Sequence, residues 1–158
     1  MATIGSSICR RLAALWRHRR GNAAIELSLL ATPLVLMLVG MADYGAAVYR
    51  QMQVQHAAQA GAEYALKYGF SSTAIATAVT SATALAGVTA TPAPAQSCGC
   101  ASGTTITAAT CGSTCPATSL AAGTYVTVSA QGSYTTIVPY PGIPNTFALS
   151  SSSTVRIK

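Results

Sequence analysis

Residues 17–43 read RHRRGNAAIELSLLATPLVLMLVGMAD, and this stretch decides the fold. A basic block ends at Gly21, and an apolar run starts at once with a single carboxylate, Glu26, near its head. Between Leu27 and Ala42 no residue is charged. Counted from Asn22, the run reaches the roughly 20 residues that a helix needs to cross the hydrocarbon layer. A carboxylate at the head of a membrane segment is costly and calls for a partner. If the chain is cut after Gly21, Asn22 becomes a free ammonium and Glu26 the fifth residue of the product. Those two charges can then pair between neighbouring copies in a helical stack.

Charge placement orients the segment. Of the formal +6, five charges (Arg10, Arg11, Arg17, Arg19, Arg20) precede the apolar run, with no acid among them. The remainder balances Arg50, Lys67, Arg156 and Lys158 against Glu26, Asp43 and Glu63, leaving +1. This is the positive-inside pattern, with the leader cytoplasmic and the chain beyond Asp43 translocated. Outside the leader no basic face interleaved with aromatics occurs, which argues against nucleic acid as a partner. At 158 residues, with 8% charged and a mean hydropathy of +0.43, the chain has room for one modest domain besides the membrane segment.

Within the run, Pro33 removes a backbone donor and frees the Leu29 carbonyl, which predicts a helix kink. The hydroxyls of Ser28 and Thr32 stand close enough in sequence to compensate. Gly40 and Gly45 are small positions that allow helices to approach. A secretory signal peptide is the competing reading, since Gly40-Met41-Ala42 would suit cleavage before Asp43. Against it stand the length of the apolar run and the carboxylate at its start.

Helical character continues past the membrane. Residues 43–68 contain no proline and are rich in helix formers, so one helix from Asn22 to Tyr68 is expected, about 70 Å long. Its packing stripe is expected at Val48, Met52, Gln55 or His56, Gln59, Ala62 and Leu66. Tyr44, Ala47, Ala58, Ala65 and Tyr68 form an adjoining stripe of small and aromatic residues, and Gly69 is the stop. Ser71-Ser72-Thr73 offers a cap for a second helix through about Leu85, although the Ala/Thr alternation there also permits strand. Thr91–Ala95 is a proline-rich linker. Strands are expected at Thr104–Thr107, Gly123–Ala130, Ser133–Pro139 and Thr146–Lys158, with a turn at Gln131-Gly132 and a loop over 139–144. Helices followed by strands predict an α+β unit with a small antiparallel sheet against the upper helix.

Cys98, Cys100, Cys111 and Cys115 form a cluster; Cys9 lies apart in the leader and is read as an inert thiol. Four cysteines on the oxidising side of a membrane predict two disulfides, and links between the two pairs avoid a strained Cys98–Cys100 bridge. A four-cysteine zinc site is the alternative. His56 and Glu63 are seven apart on one helix but lack a third ligand, and His18 belongs to the leader. The serines and threonines have no His/Asp constellation to activate them, and no phosphate-cradling loop occurs. Neither catalysis nor a cofactor is expected.

The residues RRGNAAIELSLLATPLVLMLVG resemble the TadE-like signature: a glycine, four residues, a glutamate, six residues, a proline, then an apolar run ending near glycine. QHAAQAGAEYA at 55–65 resembles the Ala-rich stretch that follows, and Tyr125–Val128 and Thr154–Ile157 resemble its terminal strands. Leu27 stands where family members often carry an aromatic or branched residue. The resemblance implies a pseudopilin or minor pilin of the tight-adherence (Flp, type IV-related) pilus, with a long pilin-like helix. It implies cleavage between Gly21 and Asn22 by a prepilin peptidase and assembly through Glu26 with other pilin subunits and the inner-membrane machinery. The resulting division is a cytoplasmic leader 1–21, a transmembrane segment 22–43, a helical extension 44–69 and an extracytoplasmic head 70–158 with a cysteine loop at 98–115. The rival is a signal-anchored or secreted disulfide-containing binding module with no assembly role.

Overall fold

The computed structural model describes residues 19–140 and 142–158. The leader residues up to 18, with Cys9, Arg10, Arg11, Arg17 and His18, lie outside the described residues. The chain divides into two units at the Ala42–Asp43 junction.

Helix α1 (Arg19–Tyr68) runs unbroken through Pro33 for 50 residues. It ends at the expected place, where Gly69 takes φ +84° and donates its N–H to the Ala65 carbonyl at 2.9 Å. In the first unit, every side chain from Ala23 to Leu38 is exposed, including Leu29 and Met37.

The second unit has a core, and it is built from small residues. Its α1 portion buries Val54, Ala57, Ala58, Ala62 and Ala65. Of the two expected stripes, Ala58, Ala62 and Ala65 are buried, whereas Val48, Met52, Gln55, His56, Gln59, Leu66, Tyr44 and Tyr68 are exposed. Close approach explains why only the small members pack. At Gly61 an added Cβ would stand 2.6 Å from Val79 Cγ2 and 2.8 Å from Val128 Cγ1, so the helix face that meets the sheet has no room for long side chains.

Helix α2 (Ser72–Ser81) places Ile75 and Val79 one turn apart on its buried face. It stops four residues short of the expected Leu85. The Thr83 hydroxyl accepts the Leu85 N–H at 3.1 Å and donates to Gln53 Oε1 at 3.0 Å, an alternative to a further helical turn.

Strands β1 (Ala95–Ser102), β2 (Thr105–Ala108), β3 (Gly123–Thr135) and β4 (Thr146–Arg156) form one antiparallel sheet in the order β2-β1-β3-β4. The fold is α+β. Two details depart from expectation. β1 occupies a stretch that carries no strand signal, since it holds no β-branched or aromatic residue and its Ala and Gly are depleted in strands. The anticipated turn at Gln131-Gly132 does not exist, because β3 runs straight through both. Gly132 is in the strand because α1 crosses there, and a Cβ at that position would meet Val54 Cγ2 at 3.1 Å.

Val126, Val128 and Ala130 face the helices, opposite Val155, Ser153 and Ser151 of β4. Gln131 exchanges both backbone hydrogen bonds with Thr89. Its cross-strand mate Ser150 therefore turns its carbonyl outward, where Gln51 of α1 donates to it at 2.9 Å.

Candidate functional site

Three places hold the residues that chemistry could use, one in the first unit and two in the second. The first is the head of α1. Gly21 and Asn22 lie in its first turn. Glu26 follows on the same helix as an exposed residue. Thr32 donates its hydroxyl to the Ser28 carbonyl at 3.0 Å, and Ser28 to that of Ile25 at 2.8 Å. These hydroxyls support the turn before Pro33 rather than the Leu29 carbonyl that proline frees.

The second place is the cysteine lobe. Cys98 bonds Cys111 and Cys100 bonds Cys115, with Cα separations of 5.1 and 5.6 Å. Each bridge joins one pair to the other, and with all four sulfurs so consumed the zinc alternative falls. The lobe borders an open cleft of about 450 Å³ beside Cys100, Thr107, Thr110, Ser113 and Pro116. Its walls offer hydroxyls and backbone but no acid, base or aromatic ring. Among the described residues, no group of three His, Cys, Asp or Glu side chains could hold a metal ion. His56 and Glu63 both lie exposed on α1.

Sequence reasoning missed the third. Asp43, the first residue after the apolar run, is only 4% exposed. The Tyr134 hydroxyl, 91 residues away, donates to its carboxylate and reaches its carbonyl oxygen at 3.1 Å. The Ile137 N–H is shared between both carboxylate oxygens at 3.2 Å. Arg50, two turns along α1, places its guanidinium 5.3 Å from the centre of the Tyr134 ring, a cation–π contact. The hydrogen bond to Asp43 holds the Tyr134 hydroxyl protonated above the ordinary tyrosine range, reinforced by burial and by the Asp43 charge and partly offset by Arg50.

Tyr140 is raised as well, chiefly by burial and then by the same carboxylate. Its buried hydroxyl feels Asp43 yet completes a well-formed hydrogen bond with no described group. The sequence signal for this clasp was an acid standing just outside the apolar run. Nothing in the chain's local pattern could name its distant tyrosine.

No curated protein and no solved structure matches the chain. The family model described as TadE-like protein matches residues 21–63, a span that starts on Gly21 and takes in Glu26, Pro33 and Asp43. Over those residues the chain is similar to TadE-like proteins.

Proposed function

We propose that the protein is a pseudopilin or minor pilin, held in the bacterial inner membrane by residues 22–43 and needed to assemble a tight-adherence pilus. Its leader, 1–21, lies in the cytoplasm and is removed after Gly21 by a prepilin peptidase. The helical extension 44–69 and the head 70–158 lie on the far side of the membrane. The Asn22 ammonium so created pairs with Glu26 of an adjacent subunit, an attraction that is weak in water and stronger inside an apolar helix bundle. The head primes or caps the assembly and performs no catalysis.

One observation carries this reading: the TadE-like match begins on the glycine at which such a cut would fall. Support comes from the apolar side chains of the same segment. Ile25, Leu29, Leu34, Met37 and Met41 are all more than half exposed, a surface that lipid or neighbouring helices must cover in the cell. The two disulfides fit an extracytoplasmic head.

N-terminal sequencing of protein recovered from cells tests the cut. A start at Asn22 is expected; a start at Asp43 would instead indicate a secreted module, and an intact leader a plain anchor. In the same cells, Glu26→Ala should leave membrane insertion intact and abolish piliation. Normal pili in that variant would overturn the pairing role.

A further inference from the structure

We propose that the β3–β4 loop, residues 136–145, is a second membrane contact, seating Ile137 and Ile143 in the headgroup layer of the bilayer that residues 22–42 cross. The proposal rests on the reading of that segment as a membrane span.

Position is the first argument. The apolar run ends at Ala42, so Asp43 stands where the chain leaves the hydrocarbon. Both oxygens of its carboxylate hold the Ile137 N–H, and Tyr134, at the end of β3, is bonded to the same residue. The start of the loop is therefore fixed at the depth of Asp43 whatever the orientation of the rest of the head.

Composition is the second. The loop reads TIVPYPGIPN, with no charged residue, and its two isoleucines are 68% and 51% exposed. Two such side chains on one tethered loop differ from Leu120 and Ile106, which are exposed singly elsewhere in the head. Irregular backbone is costly near lipid because its polar groups need partners. Here Pro139, Pro141 and Pro144 have no N–H to satisfy, Thr136 N–H bonds the Asn145 carbonyl at 2.8 Å, and Ile143 N–H bonds that of Tyr140 at 3.2 Å.

The surroundings are the third. Tyr44 and Tyr49 are well exposed on α1 just past Asp43, the residue type that collects at membrane interfaces. Arg50, beside Tyr134, supplies a cation at the level of lipid phosphates. The Asp43 charge, which lipid phosphate would repel, is turned inward to its two donors. An apolar surface of this kind inserts about 5–10 Å, to the boundary between headgroups and acyl chains.

The test uses the full chain in phosphatidylcholine–phosphatidylglycerol vesicles. The single tryptophan, Trp16, is first replaced by Trp16→Phe so that one indole reports at a time. Ile137→Trp and Ile143→Trp are the probes, at exposed positions that leave the core untouched, and Leu36→Trp and Leu120→Trp are the controls. Far-UV circular dichroism and retention of both disulfides check the fold of each variant. With lipids brominated near the carbonyl end of the acyl chain, both loop probes should lose most of their emission and shift to the blue, while Leu120→Trp keeps its own.

The proposal is overturned if the loop probes behave like Leu120→Trp while Leu36→Trp is quenched by deeply brominated lipid. It is equally overturned if they are shielded from aqueous iodide but untouched by bromolipid, since a protein neighbour would then cover them. A Leu36→Trp probe that no bromolipid quenches would defeat the membrane-span reading itself, a separate result.

Discussion

Helix α1 holds two regions of the same secondary structure and opposite logic. From Ala23 to Leu38 it carries leucines, a valine and a methionine that are all exposed. From Asp43 to Ala65 it carries alanines and a glycine that are buried to the last few per cent. Hydropathy alone would reverse the assignment, making the leucines the core. The difference lies in what covers each region. Lipid or a neighbouring helix accommodates long side chains, whereas a sheet packed against a helix within one small domain selects for short ones. Side-chain size at the contact, not apolarity, separates the two.

The sharpest way to break the comparison is to empty the core on one side and the leucine surface on the other. Ile75→Ala should lower the unfolding free energy of the head by about 2–5 kcal/mol, because Ile75 is fully buried between α1 and the sheet. Leu36→Ala, on the exposed run, should change it by less than about 0.5 kcal/mol. Guanidinium denaturation of the detergent-solubilised chain measures both, and equal losses would erase the distinction.

A finer contrast uses two glycines of one helix. Gly61→Ala presses a methyl onto Val79 and Val128 and should cost about 1–3 kcal/mol. Gly45→Ala meets nothing within 4 Å and should stabilise the helix by about 0.5–1 kcal/mol. The same denaturation curves decide it, and a stabilising Gly61→Ala would mean that the helix can lift off the sheet without penalty.

The long apolar helix, its stop at Gly69 and the disulfide lobe were legible in the sequence because each rests on local pattern: an apolar run, a glycine, a cysteine cluster. The core face of α1 was legible only in part: Ala58, Ala62 and Ala65 were marked, but so were Val48, Met52 and Leu66, and only the nearness of Val128 and Val79 to Gly61 explains why the small residues prevail. β1 escaped because its residues favour no strand and owe their conformation to pairing with β3. Gly132 looked like a turn for the same reason, being small for a neighbour rather than for a bend. Of the candidate site, Gly21, Asn22 and Glu26 were singled out by spacing, and the TadE-like match spans all three. The Asp43 clasp was not, since its partners arrive from the far end of β3.

The smallest expected effect bears on that clasp. The hydroxyls of Tyr134 and Tyr140 are held protonated above the ordinary range. Stability from a raised tyrosine is complete below the unfolded value near 10 and is lost as pH rises through the folded one. Ultraviolet titration should therefore show a late-ionising fraction, and Tyr134→Phe should shrink it. A late fraction of the same size in Tyr134→Phe would remove the Asp43 contact as the cause.

The contact between Gln51 and Ser150 has a consequence for solubility. β4 is an eleven-residue border of the sheet, and a bare border that long is a template on which any stray extended chain can add itself. Under the proposed function, subunits gather in the plane of a membrane at high local concentration, which makes such accidents more frequent. A single amide reaching over from the helix blocks the template near its midpoint and leaves a would-be recruit two short stubs instead of one continuous rail.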